Sequence, residues 1–177
     1  MAVTPASGSI SKSKELLATT FANNAAFQTW CNAADAAEAA LHIFTDELPP
    51  PRIGDTYSID KLREYRPFVI IETASVHKTP VASGAYTEYV TSGLFDVWFE
   101  ADVDDDLSRD ASEAVRIFEN ALGGIIDGFQ GMAGVGGYLD IQDHSLDTIG
   151  RMAPDFRDEY GDAMFCSGQI EWGPPQG

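Results

Sequence analysis

Between Thr91 and Val103 the chain alternates. Phe95, Val97, Phe99, Ala101 and Val103 are apolar on one parity, and Leu94, Asp96, Trp98, Glu100 and Asp102 stand on the other. A period of two is the signature of a strand with one buried face, and the mostly acidic parity is expected to face solvent. Met164, Cys166, Gly168, Ile170 and Trp172 repeat the pattern in a closing strand, Ala163 to Trp172. Phe68 to Glu72 is a short β-branched run that reads as a buried strand. Another strand is expected from Tyr138 towards Ile149. The period changes to that of a helix between Asp110 and Phe129, where Phe118, Ala121, Leu122, Ile125, Ile126 and Phe129 fall on one stripe. Ser108 is its expected N-cap. Gly123, Gly124 and Gly128 lie inside this helix and predict close approach of another backbone. Near the N-terminus, Leu16, Leu17, Thr20 and Phe21 predict a helix from about Lys12. Asn23-Asn24 breaks it, Phe27, Trp30 and Cys31 continue, and an Ala-rich helix is expected from about Asn32 to Phe44.

Breakers divide the rest. Pro49-Pro50-Pro51 stops any helix, and 46–65 reads as a long excursion with a short strand or helical turn around Tyr57–Leu62. Residues 74–90 and 150–162 read as exposed connections. The expected organisation is a flexible arm at 1–11, a single domain at 12–173 and a short tail at 174–177. The fold class is α+β. It predicts a largely antiparallel sheet of four strands, or slightly more, flanked by an N-terminal helical region and one long central helix.

Charge narrows the function. Across 177 residues, 28 acidic side chains outweigh 11 basic ones, for a net charge of -17. Phosphate backbones and anionic membrane surfaces would repel such a chain. No apolar run approaches the roughly 20 residues of a membrane span, and Met1 to Ser13 does not read as a signal peptide. Cys31 and Cys166 are too few for a disulfide framework. Both lie in apolar surroundings and are expected to be buried thiols in a protein made in a reducing cytoplasm.

Catalytic motifs are not found. His42, His77 and His144 have no metal-ligand spacing, and the glycine-rich run at 131–137 follows a helix, so its amides do not form a phosphate cradle. Glu100 and Glu171 are an acid/base pair only in the weakest sense. The acidic cluster offers one metal template. Asp102, Asp104, Asp106, Asp110 and Glu113 occupy positions 1, 3, 5, 9 and 12 of a calcium loop, but Leu107 replaces the turn glycine and Arg109 stands at position 8. Asp102, Asp104 and Asp106 are therefore weak metal candidates, and a solvated strand-to-helix turn is the simpler expectation. No cofactor is expected.

Four phrases carry a resemblance: FQTWCNAAD at 27–35, RPFVII at 66–71, TSGLFDVWFEADV at 91–103 and MFCSGQIEWG at 164–173. In this order the chain resembles the tail terminator and head-to-tail joining (neck) proteins of long-tailed bacteriophages, from about Ser13 to Gly173. The resemblance implies a tail-terminator-like fold and a virion structural protein without enzymatic activity. Its subunits would form a ring, commonly a hexamer, assembled in the host bacterial cytoplasm. The ring would cap the tail tube protein and join it to neck and head-completion proteins, and genomic DNA would pass through without specific binding. An acidic lumen would serve that passage, with Asp104, Asp105 and Asp106 as its candidate turn. The alternatives are another virion subunit (tube, head-completion or baseplate) or a small acidic α+β domain binding a ligand or divalent ion.

Overall fold

The computed structural model describes residues 10–49, 59–83, 86–103, 111–129 and 140–173. The first helix, α1, spans Ile10–Asn23 and buries Leu17 and Phe21. Asn24 ends it. Its backbone is extended, and its side-chain oxygen accepts from the amides of Ala26 and Phe27, which starts α2, Ala25–Trp30. The break at Asn23-Asn24 is thus a cap that belongs to the next helix.

The Ala-rich helix expected to run to Phe44 is cut short. Asn32 takes a left-handed backbone (φ 53°) and Asp35 caps only α3, Ala36–Ala39. A 3-10 turn, Ala40–His42, then leads into strand β1, Ile43–Thr45. Ile43 and Phe44 are β-formers whose place beside a buried strand outweighs the helix propensity of the alanines before them. The excursion at 46–65 contains a helix, α4, at Ile59–Tyr65.

Two long strands follow, β2 at Phe68–Ser83 and β3 at Tyr86–Asp102, paired antiparallel from Phe68↔Glu100 to Ser83↔Tyr86. The connection expected at 74–90 is therefore a hairpin. Its polar, Pro- and Gly-containing composition reads as loop, but two strands that satisfy each other's backbone groups need no alternating buried face. The central helix, α5, runs Ala111–Phe129. Strand β4, Asp140–Arg151, helix α6, Pro154–Tyr160, and strand β5, Ala163–Gly173, complete the chain. So the segment expected as a loop at 150–162 holds a helix with proline in its first turn, where a missing N–H costs nothing. Residues 1–9, 50–58, 84–85, 104–110, 130–139 and 174–177 lie outside the described residues. With them go most of the N-terminal arm, the Ser108 cap, the glycine run and the C-terminal tail.

The fold is α+β with a five-stranded mixed sheet in the order β1-β2-β3-β5-β4. Its five strands fall within the four, or slightly more, expected; β1 joins β2 in parallel, and the other pairings are antiparallel. Helices α1, α2 and α5 pack on one face. Phe21 meets Phe27, Phe99 and Phe129 edge-on at centroid distances of 5.5, 5.9 and 4.9 Å. All four rings are buried, each contributing about 1.5–3 kcal/mol through burial. Every residue of the β5 parity from Met164 to Trp172 is buried in this layer.

Candidate functional site

The second face of the sheet is divided. At one end, Phe68 and Ala163 are buried, although they stand opposite Glu100 and Asp102 on the parity expected to be wet. Phe44 packs edge-on against Phe68 and Tyr65. Helix α4 touches α6 and delivers Arg66 to this end. His42 Nδ1 lies 2.7 Å from the Pro67 carbonyl and ties the 3-10 turn to the start of β2.

Arg66 organises the acids here. Its side chain is fully buried. Its Nε and Nη2 donate to Glu100 Oε1 at 2.8 and 2.5 Å, and its Nη1 donates to Asp102 Oδ1 at 2.8 Å. Trp98 Nε1 donates to the other Glu100 oxygen at 3.0 Å. A buried carboxylate is tolerated only when its charge and lone pairs are met in this way. Glu100 is therefore buried and paired, which corrects its assignment to the solvent side of β3.

Among the described residues, the other end of the face is open. A cleft of about 530 Å³ spans β2, β3, β5 and β4, lined by Ile70, Glu72, Asp96, Trp98, Asp147 and Ser167 with the backbone of Val97 and Gly168. Trp98 of this lining stacks on Phe165, with centroids 5.0 Å apart and planes 4° from parallel. Asp96 Oδ1 accepts from Gln169 Nε2 at 2.8 Å. Glu72, Asp147 and Glu171 are exposed.

The residues singled out from sequence scatter. Glu100 stands opposite Phe165, and Glu171 lies six positions further along β5, opposite Leu94, about 20 Å away at strand rise. They cannot work as an acid/base pair. Phe95 and Trp172 stack within the core, and Phe99 packs with Phe21, whereas Trp98 lies on the opposite face of β3, in the cleft. His42, His77 and His144 belong to three different elements. Asp102, a weak metal candidate, spends one oxygen on Arg66. The other candidates, Asp104 and Asp106, and the turn Asp104, Asp105 and Asp106 offered to a lumen, lie outside the described residues. Among the described residues no three His, Cys, Asp or Glu side chains group so as to hold a metal ion. No described helix is long and apolar enough to cross a membrane.

Both thiols are buried and free. Burial pushes Cys31 up to about 12, and burial with the nearby charge of Asp147 pushes Cys166 up to about 11. Neither is a nucleophile at neutral pH. Sequence reasoning missed Arg66, Glu72 and Asp147. The signal for Arg66 was an arginine directly before a buried strand in a chain with few cations. For Glu72 it was the acid that closes the run Phe68–Ile71.

No family model matches the chain, and no curated protein matches it. One solved structure is similar over 93% of this chain and 96% of its own, at 11% identity and a TM-score of 0.39. Likeness at that level carries no argument about function.

Proposed function

We propose that this protein is a non-enzymatic virion structural subunit that forms a ring, commonly hexameric in such proteins, at the tail–neck junction of a long-tailed bacteriophage. One observation carries the reading. The three strand phrases of the resemblance, at 66–71, 91–103 and 164–173, are neighbours in one sheet, β2-β3-β5. The helical phrase at 27–35 packs on the same block through Phe27 and Cys31. Arg66 of the first strand phrase bonds Glu100 and Asp102 of the second.

In this reading the subunit caps the tail tube and meets neck and head-completion proteins, and DNA crosses the ring without adhering. The net charge of -17 suits that passage. The test is to add purified protein to tail tubes of the phage concerned and view them by negative-stain electron microscopy. A cap at one end of the tubes supports the reading. Bare tubes at saturating protein would overturn it.

A further inference from the structure

On the open half of the second sheet face, charges work against the stability of their own sheet. Glu72 and Asp96 are direct cross-strand partners on β2 and β3, and Asp143 and Glu171 are direct partners on β4 and β5. Like charges placed directly opposite destabilise a sheet. Among the described residues, no Lys or Arg forms an ion pair with these four acids or with Asp147. At the covered end of the same face, Arg66 balances Glu100 and Asp102. The fold thus neutralises its acids where α4 meets the sheet and leaves them opposed where no described element covers it. Trp98, half-buried and stacked on Phe165, lines the same cleft as Glu72, Asp96 and Asp147. An aromatic ring with carboxylates beside it suits a guanidinium, which stacks on a ring and donates to carboxylates in its own plane.

We infer that this face docks an extended, arginine- or lysine-bearing segment of another protein. The occupant is foreign because a second copy, with 28 acidic and 11 basic side chains, would bring the wrong charge. A nucleic acid is repelled for the same reason. A single ion is too small, since the acids are spread across four strands, about 14 Å at ordinary strand spacing. The inference goes beyond the ring and does not depend on it, because a monomer would carry the same face.

The experiment is calorimetric titration of the intact protein with a synthetic peptide of alternating arginine and alanine. Binding is expected at low salt and should weaken at least ~tenfold by about 0.5 M salt. Glu72→Gln with Glu171→Gln should weaken it roughly tenfold and yet raise the Tm by ~1–3 °C, because it removes one member of each opposed pair. A merely structural role would not give opposite signs. Glu72→Gln alone is the gentler variant and should show both signs at smaller size. Glu119→Gln, on the exposed side of α5, should change neither. Absence of peptide binding, or equal weakening by Glu119→Gln, would overturn the inference. So would binding of calcium chloride alone that the double variant abolishes.

Discussion

Arg66 and Glu100 show how much one contact decides. The guanidinium is wholly buried, and Glu100 uses both oxygens, one for Arg66 and one for Trp98. Truncating one partner strands a charge in the interior. Glu100→Ala is expected to cost about 3–5 kcal/mol in urea unfolding, whereas Arg66→Met with Glu100→Leu should recover most of that loss. Equal destabilisation by the single and double variants would refute the coupling. The partners are 34 positions apart, so no local pattern announced them, and an acid on the polar parity of a strand reads as exposed. The cysteines were legible, because Cys31 continues the helical stripe of Phe27 and Trp30, and Cys166 shares the strand parity of Met164, Ile170 and Trp172. With Cys31 pushed up to about 12 and Cys166 up to about 11, neither should react with a colorimetric disulfide reagent in native protein at pH 8. Two thiols should appear on denaturation, and rapid native labelling would contradict the packing.

Elements with an unbroken period were readable, and those set by partners were not. Strands β3 and β5 and helix α5 stand close to where their apolar repeats put them. The hairpin arm, β1 and α6 did not show, because pairing and capping define them more than periodicity does. The glycines of α5 divide in the same way. A Cβ at Gly128 would stand 2.7 Å from the Asn24 side chain, which caps α2 and donates to the Ile125 carbonyl. At Gly123 nothing lies within 4 Å. So only one of the three interior glycines is held by a close neighbour, and that neighbour is a side chain. Gly128→Ala should destabilise by about 1–3 kcal/mol, while Gly123→Ala should stabilise by up to ~1 kcal/mol. Thermal melts of the two variants moving in the same direction would contradict this.

Helix α6 is latched by Asp162, which accepts from Arg151 on β4, with Arg157 of α6 at 3.5 Å. The hydrogen bond from Arg151 holds the Asp162 carboxyl below the usual range. A depressed carboxylate contributes stability that is fully present above its unfolded value and lost as pH falls through its folded one. The stability gap between wild type and Asp162→Asn, about 1 kcal/mol for a partly exposed pair, should be constant from pH 7 to 5 and close below about pH 4. A gap that persists at pH 2 would show that charge is not its source.

For the molecule as a whole, the acidity is unevenly balanced. Part of it is neutralised inside the fold, by Arg66 and by Arg151, and part is left opposed on one open sheet face. Fold class was legible from the order of periods, since helices, strands, a long helix and strands again leave few ways to build one sheet. The open cleft was not, because it depends on which end of the sheet the short helices cover. The ring rests on sequence phrases that the fold gathers into one block, and its most direct test is the mass of the purified protein in solution. Native mass spectrometry and light scattering should give a closed species of roughly six times the 19.1 kDa of one chain. A single 19.1-kDa species at every concentration, alone and with tail tubes, would contradict it.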